Sequence, residues 1–348
     1  MPVLGFVIHS AVSRGWAAAT KPMSNDSSKS ALSLQHRYEG PFYRRIMLGG
    51  IKHIPTWLQR LTMPMWGGIF YFLIRKAREA VLRNLETVAG KVGFWQTHRR
   101  GLVTFRNYAQ MLTDSYKVHL GQPLTMEVES IGRTPELVSL IREKGGIMAT
   151  GHIGMWQVGP FLAEWRDLPP FYVARAEEPN PLVQKWEQRF RDRFKVIYTT
   201  GSPFSALSIA KVLREKSVVG MQIDRVLSDT GLTVKMCGKD ARFPMGPALL
   251  ARVTGAPLIP SFFVIDESLG RPRLIHHVGP AVIVENTRDR EADVRRATEA
   301  MVAIYEKIVC KYPTQWYQFF DFFDVRVPLP VDGIAPSASL PPTVSAEN

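Results

Sequence analysis

The segment GGIMATGHIGMWQ, residues 145–157, joins a short apolar run to a histidine that is flanked by glycines. The run GGIMATG predicts a β-strand, and WQVGPFLAEW, which starts at Trp156, predicts a following helix. In α/β sheets, active-site groups collect where a strand ends and a helix begins, because the strand holds the side chain at a crevice. The pattern therefore predicts that His152 lies at the carboxyl end of a strand.

The same alternation continues downstream of this segment. Strand-like and helix-like stretches at this spacing predict parallel pairing with right-handed crossovers, and hence an α/β domain over residues 122–326 with a mostly parallel sheet flanked by helices. The predicted strands are FYVARA (171–176), KVIYTT (195–200), SVVGMQI (217–223) and PLIPSFFVI (257–265). The predicted helices are PLVQKWEQRF (181–190), SALSIAKVLREK (205–216), GPALLARVTG (246–255) and a last one around Val294–Ile308.

The positive charge of the chain is concentrated in one segment. The 348 residues carry a net charge of +13, and residues 41–120 alone hold thirteen Lys/Arg against three Asp/Glu, a net +10. A basic cluster fits nucleic acid, but this segment is also the most apolar one and its aromatic residues form no recognisable nucleic-acid motif. The combination favours an anionic membrane surface and predicts no nucleic-acid partner.

Residues 41–121 are predicted to form a helical, basic segment at the membrane interface. The charge-free run Leu61–Ile74 would extend about 21 Å as a helix, short of the roughly 30 Å hydrocarbon core, so it should lie in the interface. Pro55 and Pro64 predict a break into shorter pieces. An ordinary buried helical hairpin is the alternative. Residues 1–40 and the Pro/Ser-rich residues 327–348 are predicted to lack fixed structure.

The two cysteines, Cys237 and Cys310, are too few for a disulfide framework or a cysteine-based zinc site. They are predicted to be core or strand residues, since no partner that would activate a thiol is visible. This cysteine usage predicts a location on the reducing, cytoplasmic side of a membrane. No metal site is expected.

The residues that begin at His152 resemble a known sequence motif. His152-Ile-Gly-Met-Trp-Gln157 resembles the H-x-x-x-x-D/E motif of glycerophosphate and lysophospholipid acyltransferases, and its H-x-G-x-W part resembles the lipid A biosynthesis branch. Three further blocks look like this family in the same order, so the resemblance spans roughly residues 70–322. They are RKAREAVLRNLETV (75–88), FPMGPALLARVTGAPLIPSFF (243–263) and YPTQWY (312–317).

The resemblance implies direct acyl transfer, in which a histidine takes the proton of an acceptor hydroxyl that attacks an acyl thioester. His152 would be this base, with no cofactor beyond the thioester. The chain departs from the family at Gln157, where an acidic residue normally orients the imidazole. An amide accepts the imidazole N–H but adds no negative charge. Either another acid supplies that charge, with Glu164, Glu178 and Asp224 as the candidates, or the protein is a slow or inactive relative. A purely structural histidine is the alternative to a catalytic one.

The resemblance also implies a set of substrate-binding residues. Arg175, Asn180 and Arg189 lie on the predicted strand, loop and helix that follow the His152 motif, where the family has an arginine, similar in place to Arg189, that pairs with the acidic residue or with a phosphate. The alternative for Arg189 is a solvated basic helix face. Asp224 follows a predicted strand, at a sheet edge where the family places polar groups near the acyl donor. It is expected to support another residue of the substrate-binding site or to cap a helix or loop. Gly246-Pro247 would start a helix whose free N–H groups face a phosphate or oxyanion.

The sequence thus predicts a membrane-associated O-acyltransferase on the cytoplasmic face of a bacterial inner membrane. It would move a fatty acyl chain from acyl carrier protein or coenzyme A to a hydroxyl of a glycolipid of the lipid A or lipopolysaccharide type, or of a lysophospholipid. The alternative, motivated by Gln157, is a catalytically impaired relative that acts as a lipid-binding or assembly protein.

Overall fold

The protein is described by a computed structural model. The described residues are 49–51, 53–119, 121–122, 124, 126–162, 168–175, 194–199, 203–226, 231–268 and 270–325. The predicted unstructured ends, residues 1–40 and 327–348, and the predicted helix 181–190 lie outside these ranges.

Seven α-helices and nine β-strands organise the described residues. The helices are α1 (Thr56–Leu73), α2 (Arg75–Ala89), α3 (Phe94–His119), α4 (Pro135–Lys144), α5 (Pro203–Arg214), α6 (Gly246–Thr254) and α7 (Arg290–Lys311). The strands are β1 (Glu127–Ile131), β2 (Gly146–Thr150), β3 (Phe171–Arg175), β4 (Lys195–Tyr198), β5 (Val218–Gln222), β6 (Gly231–Met236), β7 (Lys239–Pro244), β8 (Leu258–Asp266) and β9 (Arg273–Val278). Short 3-10 helices span Trp156–Phe161 and Pro313–Gln315.

The central sheet confirms the predicted α/β fold. Its seven strands run in the order β1-β9-β8-β2-β5-β3-β4, and every neighbouring pair is parallel except β8 and β9. Strands β6 and β7 form a separate antiparallel hairpin. Because β2, β5 and β3 are parallel neighbours, their carboxyl ends meet at one edge of the sheet.

Helices cover both faces of the sheet. Successive residues of β2 point to opposite faces, so Ile147 and Ala149 join one apolar cluster and Met148 joins the other. The first cluster receives buried side chains from α5, α6 and α7, and the second receives them from α3 and α4. The sheet is therefore the middle layer of three, which is the arrangement that buries both faces of a parallel sheet.

Local sequence explains where these helices begin and end. The Thr134 side chain accepts a hydrogen bond from the N–H of Leu137 and caps α4, and Asp289 caps α7 by accepting from Ala292. Helix α6 ends at Gly255, whose φ of 74° is the left-handed value that favours glycine. These caps fix the start of α4, the start of α7 and the end of α6.

The N-terminal helices α1 and α3 pack on each other, and α3 packs on the sheet. Helix α1 crosses α3 closely at Gly67, where a Cβ atom would lie 2.7 Å from Cα of Arg106. Helix α3 buries Met111 among the side chains of the second apolar cluster. The prediction that Pro64 breaks the first helix is wrong: α1 continues through Pro64, and the chain instead bends at Ile74, which separates α1 from α2.

Within the described ranges, no helix is both long enough and apolar enough to cross a bilayer.

Candidate active site

The carboxyl ends of three adjacent strands bring the predicted site together. The register pairs Thr150 of β2 with Gln222 of β5, and Val173 of β3 with Gly220 of β5. His152 follows β2 by two residues and Asp224 follows β5 by two residues, so neighbouring strands place the two side chains side by side. Two residues 72 positions apart in the chain thus meet at the sheet edge.

His152 and Asp224 form a hydrogen-bonded pair. Nδ1 of the imidazole lies 2.8 Å from Oδ1 of Asp224, and the backbone N–H of His152 donates to Oδ2 at 2.6 Å. A carboxylate beside Nδ1 holds the proton on that nitrogen, so Nε2 is the ring nitrogen that can accept a proton. The two contacts fix both the tautomer and the position of the ring.

Asp224 is completely buried and is held by further donors. Its Oδ2 also accepts hydrogen bonds from the Tyr305 hydroxyl and from Nε2 of Gln318, each at 2.7 Å. Burial favours the neutral acid and would raise the pKa of Asp224, but the charge and hydrogen bond of His152, the charge of Arg225 and the Tyr305 hydroxyl bring that pKa below its usual value. The carboxylate therefore stays ionised.

Tyr305 acts as a fixed donor within this cluster. Burial, followed by the charge of Asp224 and the hydrogen bond to it, raises the pKa of Tyr305 well above its usual value, so the phenol keeps its proton. Its oxygen accepts a hydrogen bond from the Trp316 indole N–H at 2.8 Å. Because the oxygen receives this bond, the hydroxyl hydrogen points at Asp224.

Two glycines allow the backbone to reach this position. A Cβ atom at Gly151 would lie 2.6 Å from the Tyr305 hydroxyl oxygen. Gly154 has a φ of 55°, and a Cβ atom there would collide with the carbonyl oxygen of Phe263. Close packing before and after His152 in the chain therefore requires the glycines that flank it in the sequence.

The late segment after α7 locks the histidine backbone in place. The N–H of Tyr317 donates to the carbonyl of His152 at 2.8 Å. Asn84 of α2 is buried and donates to the carbonyls of Gln318 and Phe320 at 3.0 and 2.7 Å, and its Oδ1 accepts from the N–H of Phe322. The block around Asn84 thus contacts the segment that directly follows the block ending at Tyr317.

Gln157 occupies the first turn of the 3-10 helix and is half-buried. Nδ1 of the imidazole is bonded to Asp224 rather than to Gln157. The orienting position that the resemblance assigns to residue 157 is therefore filled by Asp224, one of the three replacement acids that the sequence offers. Glu164 and Glu178, the other two, lie outside the described residues.

Of the predicted substrate-binding residues on this side of the sheet, the structure describes Arg175 and Asp224. Arg175 ends β3 at the level of Gln222, so its Cα lies about 10 Å, or two strand spacings, from Cα of Thr150. Asp224 is fully buried against the histidine instead of facing outward. Asn180 and Arg189 lie outside the described residues.

Gly246 and Pro247 begin α6, as predicted. Gly246 is exposed, whereas Pro247 is buried and, with Ile223 and Phe243, lines a small apolar cavity of about 20 Å³. A role of these two residues in binding phosphate or an oxyanion stays a prediction.

A long acyl chain needs an apolar surface near the base, and the ring of Trp156 lies beside His152. The ring centroid of Trp156 lies 5.1 Å from that of the His152 imidazole. Phe262 is instead fully buried and stacks on Tyr305, so it belongs to the core of the sheet. Phe161 packs against Phe194 within the second apolar cluster.

The roles of Tyr305 and Gln318 are not evident from the sequence. Tyr305 sits at an apolar position of the α7 pattern and predicts only core packing, and Gln318 follows the YPTQWY block without a motif of its own. The sequence gives one signal for Gln318, which is its place within a run of aromatic residues. Such a run tends to be buried, and a buried amide needs hydrogen-bond partners.

The chain is similar to proteins that are named as acyltransferases. The chain is 29% identical over 177 residues to a phosphatidylinositol mannoside acyltransferase of Mycobacterium tuberculosis, which covers 50% of this chain and 52% of the relative. It is 25% identical over 297 residues to the protein of that name from Mycolicibacterium smegmatis, covering 78% of this chain and 92% of the relative. The chain thus spans about half the length of the M. tuberculosis relative that it matches.

The family model described as bacterial lipid A biosynthesis acyltransferase matches residues 28–323. This range contains His152, Asp224, Tyr305 and Gln318 together with all seven strands of the central sheet. Since the match covers most of the sequence, the chain belongs to the bacterial lipid A biosynthesis acyltransferase family.

Proposed function

We propose that the protein is an O-acyltransferase that moves a fatty acyl chain from a thioester donor to a hydroxyl of a glycolipid, with His152 as general base. The observation that carries the proposal is the bond between Nδ1 of His152 and the ionised, buried carboxylate of Asp224. Family membership supports the acyl-transfer class, and the relatives named phosphatidylinositol mannoside acyltransferase support a glycolipid acceptor.

The reaction needs one proton acceptor and one stable counter-charge. Nε2 of His152 takes the proton of the acceptor hydroxyl while the hydroxyl oxygen attacks the thioester carbonyl. The tetrahedral intermediate collapses, the C–S bond breaks, and the leaving thiolate takes the proton back from the imidazolium. Asp224 stabilises the imidazolium between these steps and remains ionised throughout.

The partial exposure of His152 supports a proton exchange with a substrate at the sheet edge. Its side chain keeps 10% of its surface exposed, whereas the side chain of Asp224 has none. The base is therefore the outer member of the pair, and the carboxylate is shielded from water, which strengthens its interaction with the imidazolium.

Acyl carrier protein and coenzyme A are the two proposed donors, since both present an acyl thioester beside negative charge. The acceptor would be a glycolipid of the lipid A or mannolipid type, or a lysophospholipid. Arg175 at the same edge, and Asn180 and Arg189 in the following segment, are proposed to bind the anionic parts of these substrates. The proposal includes no metal or other cofactor.

The rival function is that of a lipid-binding or assembly protein without catalysis. Its basis is Gln157 in place of an acid. Asp224 supplies a carboxylate to the same imidazole, so that basis is weakened.

One experiment separates the two functions. The purified wild type and the His152→Ala variant are each tested for transfer of radiolabelled acyl groups from acyl carrier protein or coenzyme A to glycolipid acceptors. Transfer that depends on His152 supports the enzyme. Its absence with every donor and acceptor supports the binder.

The outer face of α1 is proposed to lie on the cytoplasmic surface of a bacterial inner membrane. Large apolar side chains repeat along it at helical spacing and are 37–69% exposed. Phe94 and Trp95 at the start of α3, 65% and 83% exposed, are proposed to extend this surface, since the Phe94 ring packs on His98, which bonds to Tyr71 near the end of α1. We call this surface the α1 apolar face: Trp57, Leu61, Met65, Trp66, Ile69, Phe72, Leu73, Phe94 and Trp95.

Exposed basic residues lie next to the α1 apolar face in the sequence. Arg75 and Lys76 follow Leu73 closely and are exposed, and Lys91 and Arg99 bracket Phe94 and Trp95. An exposed apolar helix face with exposed cations next to it in the sequence fits an anionic bilayer, where apolar groups enter the interface and cations contact phosphates. The peripheral attachment would bring the sheet edge near a lipid acceptor.

Replacing Leu61 and Phe72 together with serine is expected to weaken binding to vesicles that contain phosphatidylglycerol by at least about tenfold, because two large apolar side chains leave the interface. The measurement is co-sedimentation of the purified chain with vesicles over a range of lipid concentrations. The matched control is Leu207→Ser with Ile283→Ser, which removes similarly exposed apolar side chains elsewhere. Equal binding by both double variants and the wild type would contradict a membrane role of α1.

A further inference from the structure

The two cysteines of the chain lie together in the fold. They are 73 residues apart in sequence, yet Sγ of Cys237 and Sγ of Cys310 are 3.6 Å apart, and both are free thiols. The prediction of core or strand positions is wrong for Cys310, which is exposed near the end of α7, whereas Cys237 is half-buried in the turn between β6 and β7 and packs against the first apolar cluster. Neither belongs to the site around His152.

The turn that carries Cys237 is fixed against α7. Cys237 has a φ of 50° and is followed by Gly238 with a φ of 74°, the left-handed pair that closes a tight β-hairpin. The N–H of Cys237 donates to Oε2 of Glu306 at 2.8 Å. Glu306 and Cys310 are four residues apart and share one face of α7, so the same turn reaches both of them.

We propose that Cys237 and Cys310 are a modification site that forms a reversible intramolecular disulfide, with a small disulfide such as oxidised glutathione as the oxidant. The two thiols give up two electrons and two protons, the S–S bond of the small disulfide breaks, and two small thiols are released. The sulfur atoms approach from 3.6 Å to about 2.0 Å, a movement that side-chain rotation and slight adjustment of the turn can supply.

The two cysteines differ in how they react. Cys310 is exposed and meets the small disulfide first, forming a mixed disulfide. Burial, then the hydrogen bond and charge of Cys310, and the charge of Glu306, raise the pKa of Cys237 to about 12, so this thiol is a poor first nucleophile. Its position beside Cys310 lets it close the bond by displacing the second small thiol.

The disulfide would fasten the β6–β7 hairpin to the helix that carries Tyr305. Closing a loop between residues 73 positions apart restricts the unfolded chain, so the oxidised protein is expected to unfold at a temperature higher by roughly 5 °C. Tyr305 lies five residues before Cys310 and donates to Asp224, so the bond would stabilise a helix on which the candidate site depends.

The experiment treats the purified full-length chain, freed of reductant, with excess oxidised glutathione. Remaining thiols are alkylated under denaturing conditions and the intact mass is measured, with peptide mapping and thermal unfolding of a parallel sample. In the oxidised wild type, neither cysteine is expected to be alkylated, and the intact mass should be lower by two hydrogens. No cross-links should form between molecules, and the protein should unfold at the higher temperature. Dithiothreitol should reverse all of these changes.

Two single variants are the matched controls. Cys237→Ser is expected to carry glutathione on Cys310, and Cys310→Ser is expected to keep an alkylatable Cys237; neither should gain thermal stability. The proposal is overturned if both thiols of oxidised wild type stay alkylatable, if cross-links form only between molecules, or if closure leaves the unfolding temperature unchanged.

Discussion

Replacement of His152 by alanine is expected to lower kcat for acyl transfer by about 10³-fold, because positioned proton transfer contributes on the order of 10²–10⁴ to such reactions. Binding of anionic vesicles should persist, since none of the side chains of the α1 apolar face belongs to the cluster around His152. The measurement is transfer of labelled acyl groups to a glycolipid acceptor, with vesicle co-sedimentation on the same preparation. A variant with wild-type turnover would remove the imidazole from the mechanism.

Replacement of Asp224 by asparagine is expected to lower kcat by about 10³-fold as well, for a different reason. Oδ2 of Asp224 accepts three hydrogen bonds, from the His152 N–H, the Tyr305 hydroxyl and Gln318. An asparagine that keeps this oxygen must turn its NH₂ group towards Nδ1 of His152. The imidazole proton then moves to Nε2, and the nitrogen that faces the substrate can no longer act as a base.

Gln157→Ala is the matched control for the Asp224 variant, since it removes an amide from the position that the family motif assigns to the acid. We expect it to change kcat by less than about threefold, and Gln157→Glu to give no gain, because Asp224 already holds the imidazole. Thermal unfolding of each variant separates lost catalysis from lost folding. A larger loss for Gln157→Ala than for Asp224→Asn would reverse the assignment of the orienting residue.

The sequence predicts the parallel core of the fold well because that core is built from short apolar runs with clear ends. Strand β2 is bounded by glycines, and α6 is bounded by Gly246-Pro247 and Gly255, so local chemistry fixes both. Strand β1 is different: its five residues are all exposed, and it exists because it pairs with β9. Such a strand is determined by its partner, which no local pattern reveals.

The hairpin β6–β7 is absent from the predicted elements although its signal is present in the sequence. Alternate residues Leu232, Val234 and Met236 of β6 are buried while Thr233 and Lys235 are exposed, which is the period of two expected for a half-buried strand. The stretch is only six residues long and contains polar side chains, so the pattern is weak when read in isolation.

Only part of the candidate site can be predicted from the sequence, and the limit is one of topology. The role of His152 can be predicted from its own flanking residues, because they lie within one strand and one turn. Asp224 is one of three candidate acids, and the choice among them requires the fact that β5 is the neighbour of β2 in the sheet. Gln318 and Tyr305 reach Asp224 from 94 and 81 residues away, so only the folded chain shows their role.

The pairing of His152 with Asp224 is tested most directly by a double-mutant cycle on kcat, with His152→Ala, Asp224→Asn and both changes together. If Asp224 acts through the imidazole, the double variant should turn over within about threefold of His152→Ala alone. A double variant slower than His152→Ala by the full factor that Asp224→Asn costs in the wild type would show that the carboxylate works independently of the histidine, and would contradict the proposed mechanism.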